Sequence, residues 1–245
     1  MIVKSQVKYI QSLGHKKYRD EEGVFVAEGK KLVEELLGSP NLHPEQIYAV
    51  EDWLRGYSAS NHPANTIQVS PSELERLSFL STPNQVLALF RKPIFPEINF
   101  QGQITLVLDN LQDPGNLGTI VRTADWFGVR RIVCSEDSAD VFNPKVVQAT
   151  MGSIGRVQVV YSDLEELLTT NKKIPAYAAM LEGKSVHQIN PMQEAFLVIG
   201  NEARGISSAL SNLIPNKITI PRKGGAESLN AAVATGIILS YLSSK

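Results

Sequence analysis

A single cysteine, Cys134, is all that the 245-residue chain offers, so no intrachain disulfide and no multi-thiolate metal site can be built from it alone. It lies in "RIVC", an apolar run of strand length, and reads as an inert core thiol. The four histidines, His15, His43, His62 and His187, stand singly without ligand spacing, so no metal is expected. Charge of one sign is missing too. Lys and Arg number 24 against 25 Asp and Glu, a net of -1, and no global basic field advertises a nucleic-acid partner. There is no run of about 18 apolar residues to span a membrane. The opening "MIVKSQVKYI" lacks the apolar stretch of a signal peptide, and a reducing cytoplasm is the expected compartment. Neither G-x-G-x-x-G nor G-x-x-x-x-G-K-[ST] occurs, so dinucleotide and P-loop readings lack their fingerprints.

What is present is a chain 43% hydrophobic and 20% charged, enough for one large or two small cores. The stretch "RKPIFPEINFQGQ" breaks the periodic pattern with prolines, charges and a glycine. It divides the chain into residues 1–95, a linker at 96–103 and residues 104–245.

The first part alternates short strands and helices. "GVFVAEG" predicts a strand at residues 24–27. "KKLVEELLG" sets Leu32, Val33, Leu36 and Leu37 on one helical face and stops at Gly38. "IYAV", "TIQVS" and "QVLALFR" are further strands. "SPSELERL" opens a helix with Ser70 as cap, Pro71 in the first turn and Glu73 completing a capping box. The first 19 residues hold Lys4, Lys8, Lys16, Lys17 and Arg19 and no acid, with Tyr9 and Tyr18 between them. Two readings stay open: a phosphate-contacting arm, or a solvated amphipathic helix with Val3, Val7 and Ile10 inward.

The second part holds six apolar runs of strand length: "ITLVLDN", "RIVCS", "VQVVYS", "PAYAAM", "AFLVIGN" and "KITIPR". Continuous rather than alternating apolar runs, separated mostly by helices, predict a parallel sheet covered on both faces. In such α/β sheets chemistry sits just beyond the carboxyl ends of the strands. Three such ends carry polar residues. After "ITLVLD" comes "NLQDPGNLGTIVRTADWFGV", where Asn116 can cap a helix that carries Arg122 and ends at Gly128. After "AFLVIG" comes "NEARGIS", where Gly200 permits close approach and Asn201 and Glu202 follow. After "KITIP" comes the basic loop of Arg222 and Lys223, then Glu227, Ser228 and Asn230 at the start of the last helix, with Ser228 as the expected cap. Asn230 would enter a small-residue helix and needs partners, since an unpaired buried polar group costs about 1–3 kcal/mol. The other two loops, or a ligand between them, can supply them.

These three loops, in order and spacing, resemble motifs one, two and three of the SpoU (TrmH) family of S-adenosylmethionine-dependent RNA ribose 2′-O-methyltransferases. The resemblance covers residues 102–244. The stretch "KYIQSLGHKKYRDEEGVFVAEGKKLVEELL" more loosely resembles the ribosomal-protein-like substrate-binding domain that precedes the catalytic domain in many members. The resemblance implies an α/β fold with a C-terminal deep trefoil knot and a homodimer through the knotted domain. By motif, it implies catalytic roles for Asn116, Arg122, Glu202, Ser228 and Asn230. It implies S-adenosylmethionine held by Ala179 and Met180 after the fourth strand, Gly200, Ile220, Ser228 and Leu229. RNA, expected to be ribosomal, would be met by Lys16, Lys17, Arg19, Arg222 and Lys223. The family proposal makes Arg122 the general base; because a guanidinium stays protonated, orienting the hydroxyl or holding phosphate is the alternative. A tRNA ribose methyltransferase and a non-catalytic RNA-binding assembly protein of the same fold are the competing readings.

Overall fold

A computed structural model describes residues 2–57, 63, 65–96 and 99–243. His62 and residues 97, 98, 244 and 245, on which parts of the domain division fall, lie outside them. The chain forms two compact units, Met1–Phe95 with Asp140–Arg156, and Pro96–Ala139 with Val157–Lys245.

In chain order the first unit holds α1 (Lys4–Ser12), α2 (Lys16–Glu22), β1 (Val24–Glu28), α3 (Lys30–Leu37), β2 (Pro44–Ala49), α4 (Glu51–Gly56), β3 (Thr66–Gln68), α5 (Pro71–Leu77) and β4 (Val86–Arg91). The second begins with β5 (Ile104–Leu108), α6 (Pro114–Trp126) and β6 (Arg131–Cys134). Residues 140–156, carrying α7 (Pro144–Thr150), pack with the first unit. The second resumes with β7 (Gln158–Tyr161), α8 (Leu164–Thr170), β8 (Ala176–Ser185), β9 (Ala195–Ile199), α9 (Ser208–Leu213), β10 (Asn216–Thr219) and α10 (Ala231–Leu242).

The first unit is a four-stranded mixed sheet in the order β1-β4-β2-β3. Every residue of β1 is buried because both faces are covered. Val24 and Val26 pack with Ile10, Leu13, Leu74 and Leu77 from the α1 and α5 side. Phe25, of opposite parity, meets Phe90 at 5.8 Å and Phe142 at 5.2 Å between ring centroids. Ser70 caps α5 and forms the expected reciprocal box with Glu73. Val3, expected to face inward, is 56% exposed, and Ile2 is the residue that enters the core.

Arg19 corrects the expectation of a phosphate-contacting residue. It is 1% exposed, its Nη2 lies 2.5 Å from Asp140 Oδ2, and its Nη1 donates to the Leu13 carbonyl at 2.6 Å. A guanidinium committed this way has no face left for RNA. Glu28 is also buried, accepting hydrogen bonds from the Ser78 hydroxyl and the Phe79 amide. Burial raises its carboxyl above the usual range, and the two hydrogen bonds only partly oppose this.

The second unit is a six-stranded sheet, parallel at every pairing, in the order β10-β8-β9-β5-β6-β7. All five residues of β5 and of β9 are buried, as a central strand covered on both faces requires. From β5 the chain steps outward through β6 and β7, then crosses to the other side for β8, β9 and β10. The reversal falls between β5 and β9. Cys134, at the end of β6, is fully buried, which pushes its thiol up to about 12 and removes its nucleophilicity. Among the described residues no helix is long and apolar enough to cross a membrane.

Two predictions follow from the first unit. Arg19→Ala leaves the Asp140 carboxylate without its partner and lowers stability by roughly 3–5 kcal/mol, read as the shift of the unit's urea transition. Glu28 has a raised folded-state pKa, so its stabilisation is full below the ordinary carboxylate range and is lost as pH rises through the raised value. Glu28→Gln therefore gains stability relative to the parent on going from acid to neutral pH, in urea titrations at both.

Candidate active site

The crevice at the switch point between β5 and β9 is where an open parallel sheet binds its ligand. Here it is a cleft of about 630 Å³ lined by the three strand-end loops, including Asp113, Asn116, Asn201, Glu202, Ser228 and Asn230.

Helix caps set the geometry. Asp113, not Asn116, caps α6: its Oδ1 accepts the Asn116 amide at 2.7 Å, with Pro114 in the first turn. The Asn116 side chain is thereby released. Its Nδ2 donates to Glu202 Oε1 at 2.8 Å, and its Oδ1 accepts from Asn230 Nδ2 at 2.8 Å. The cap of the last helix is likewise Asn230 and not Ser228. Asn230 Oδ1 accepts the Ala232 and Val233 amides at 2.9 and 3.2 Å, so α10 begins at Ala231, and residues 227–230 precede the helix rather than open it. One asparagine ends a helix with its oxygen and grips another strand end with its nitrogen. α10 then packs against α6, and Thr235, buried within it, satisfies its hydroxyl on the Ala231 carbonyl at 2.7 Å.

The loop after β9 folds back on itself. The Asn201 amide donates to the Gly205 carbonyl at 3.0 Å and receives the Gly205 amide on its own carbonyl at 2.9 Å. A Cβ on Gly200 would lie 2.2 Å from the Gly205 carbonyl carbon, so glycine is required there by the loop's own closure.

Asn116, Glu202, Ser228 and Asn230 thus share one cleft, along with Leu229, which is 48% exposed. Arg122 is exposed on α6 and is not among the residues lining the cleft. Ala179 and Met180, expected beyond a strand, lie within β8. There the register with β9 stops at Ala178, and that with β10 jumps from Ala178 to Lys184. Residues 179–183 leave the ladder at this point. Gly183 lies so close to β10 that a Cβ would meet the Lys217 carbonyl at 2.6 Å. Ile220 is half-buried just after β10. Arg222 and Lys223 are exposed, with Arg222 donating to the Ala226 carbonyl at 3.3 Å. In the other unit, Lys16 and Lys17 are exposed at the start of α2, and Lys17 lies 3.8 Å from Glu21. Sequence reasoning missed Asp109, buried at the end of β5. The signal was there: an acid directly after the three apolar residues Leu106, Val107 and Leu108, at the carboxyl end of a predicted strand.

The family model of the SpoU rRNA Methylase family matches residues 103–240, and that of the MRM3-like substrate binding domain matches residues 4–88. The chain is 33% identical to the 23S rRNA (guanosine(2553)-2'-O)-methyltransferase RlmP of Bacillus subtilis, over 97% of this chain and 95% of that one. Among solved structures, a TrmH-family protein from Porphyromonas gingivalis superposes with a TM-score of 0.87 at 41% identity, covering 99% of this chain and 98% of that one. An AdoMet-bound rRNA methyltransferase from Sinorhizobium meliloti superposes with a TM-score of 0.85 at 30% identity, over 99% and 95% of the two chains.

The double duty of Asn230 is separable. Asn230→Ala removes the cap and costs about 0.5–2 kcal/mol. Asn230→Asp keeps the accepting oxygen, favourable at a helix N-terminus, and loses only the amide given to Asn116. Chemical denaturation should rank aspartate well above alanine in stability.

Proposed function

Because the chain belongs to the SpoU rRNA methylase family, we propose that it moves a methyl group from S-adenosylmethionine to a ribose 2′-hydroxyl of ribosomal RNA. The observation that carries this reading is the hydrogen-bonded chain Glu202–Asn116–Asn230, which ties three separate strand ends into one cleft.

The residues fit the cofactor. Its adenosine and methionine parts need apolar walls and a few backbone hydrogen bonds. Residues 179–183 leave the sheet ladder, and Leu229 presents apolar surface to the cleft. Ala179, Met180, Gly200, Ile220, Ser228 and Leu229 would hold the group. When bound, the cofactor supplies an electrophilic methyl on a sulfonium.

The protein's own contribution is alignment. Asn116 is held at both ends of its amide, so it presents a directed donor to one oxygen of the Glu202 carboxylate. Glu202 uses Oε1 on Asn116, and no protein partner is found for Oε2 among the described residues, which leaves that oxygen to accept the ribose hydroxyl. Ser228 and Asn230 shape the loop around the nucleotide. Arg122 meets the reacting hydroxyl or its neighbouring phosphate, its exposure suiting an approach by RNA or by a second subunit. The proposed homodimer forms through the second unit. Trp126 on α6, 85% exposed, and Val233 and Tyr241 on α10 supply apolar surface for it. A C-terminal trefoil knot accompanies this assembly. The match to a substrate-binding domain supports RNA contact by residues 1–95, through Lys16 and Lys17, with methyl transfer in residues 104–245 and residues 96–103 as the linker. Arg222 and Lys223 are the proposed RNA contacts beside the cleft. The 2′-hydroxyl itself distinguishes RNA from DNA.

Labelled cofactor with ribosomal RNA transcripts tests the reading. Label should appear in alkali-resistant dinucleotides, the mark of a blocked 2′-hydroxyl, and Arg122→Ala should lose roughly 10²-fold or more in turnover with cofactor binding retained. Label on a base, or undiminished turnover by the variant, contradicts it.

A further inference from the structure

Glu202 is held by Asn116 from the α6 side, but a carboxylate gripped at one oxygen still moves with its backbone. The backbone of this loop is secured separately. Asn201 Oδ1 accepts the Ala203 and Arg204 amides at 2.9 and 3.1 Å, so the two residues after Glu202 are drawn onto the residue before it. Asn201 Nδ2 donates to the Asn110 carbonyl at 2.8 Å, which ties that turn to the end of β5. Asn110 is itself constrained, with φ of 54° and its amide donating to Ser135 Oγ at 2.8 Å. The far end of the loop is secured by Asp109, 8% exposed, whose Oδ2 accepts the Ser207 amide at 2.7 Å.

Building on the methyl-transfer reading, we infer that Asn201 is a positioning residue for Glu202, with Asp109 anchoring the other end of the same loop. The side-chain chemistry is specific. Asparagine accepts the two loop amides and donates to β5 at once. Aspartate keeps the accepting oxygen and loses the donor, and alanine loses both. Aspartate therefore preserves the turn and frees it from the sheet, so that Glu202 drifts from the site while the loop keeps its shape. A misplacement of about 1 Å at such a group costs up to roughly 10²-fold in rate.

The test uses the full chain, S-adenosylmethionine and ribosomal RNA transcripts, and compares Asn201→Asp, Asn201→Ala, Glu202→Gln and the Asn201→Asp/Glu202→Gln pair. Asn201→Asp should lower kcat about 10- to 10²-fold with KM for the cofactor little changed and thermal midpoint near the parent's. In the Glu202→Gln background it should cost nothing further, because a residue that acts through Glu202 has nothing left to position. Hydrogen exchange at the Ala203 and Arg204 amides should stay slow in Asn201→Asp and rise in Asn201→Ala. Asp109→Asn, which keeps an oxygen for the Ser207 amide, should restore what Asp109→Ala loses. Parental turnover by Asn201→Asp, a loss that multiplies with that of Glu202→Gln, or a loss that tracks a lowered thermal midpoint overturns the inference. If Glu202→Gln is itself fully active, the role given to Glu202 fails and the inference with it, while the methyl-transfer reading stands; if the parent chain transfers no methyl to a ribose, the functional reading fails and the inference with it; a slow Glu202→Gln beside a parental Asn201→Asp removes the inference alone.

Discussion

The site depends on which polar side chain caps which helix. Asn116 can hold Glu202 and Asn230 together only because Asp113 has already taken the N-cap of α6. If Asn116 spent its oxygen on its own helix, the bridge to Asn230 would be lost, and the last helix would have no polar tie to the first motif. Each of these hydrogen bonds is worth only about 0.5–1.5 kcal/mol net. Their importance lies in direction rather than strength, since they orient amides whose faces could otherwise exchange.

The parallel sheet makes such weak contacts sufficient. β5 and β9 are adjacent and parallel, so their carboxyl-terminal loops open on the same edge without any folding of the loops to find each other. The loop after β10 starts two strands away from β9's other side and still reaches Asn116, because α10 packs on α6. Buried apolar contacts place the backbone, and the polar residues refine what has been placed. The same division appears within the loop after β9, where Gly200 and Gly205 close the backbone and Asn201 fastens it.

Much of this was legible. Continuous apolar runs such as "ITLVL" and "AFLVI" announce central parallel strands, because a strand covered on both faces has no solvent side to alternate with. The Ser70–Glu73 capping box was readable because its four residues contain the whole interaction. The caps of α6 and α10 were not. Asp113 and Asn116, or Ser228 and Asn230, are comparable caps by residue type, and the choice rests on where the incoming chain turns. Arg19 shows the same limit. In a basic stretch it reads as surface, but its partner Asp140 is 121 positions away and no local pattern links them.

Local chemistry, then, determined the strands, most helices, the three polar strand ends and the family they match, since each is written in contiguous residues. Tertiary structure alone decided that Asn116 faces Glu202 and Asn230, that β8 leaves the ladder after Ala178, and that Arg19 is buried. Those outcomes depend on the meeting of segments distant in sequence, and a hydrogen bond has no existence until both of its ends have been brought within about 3 Å.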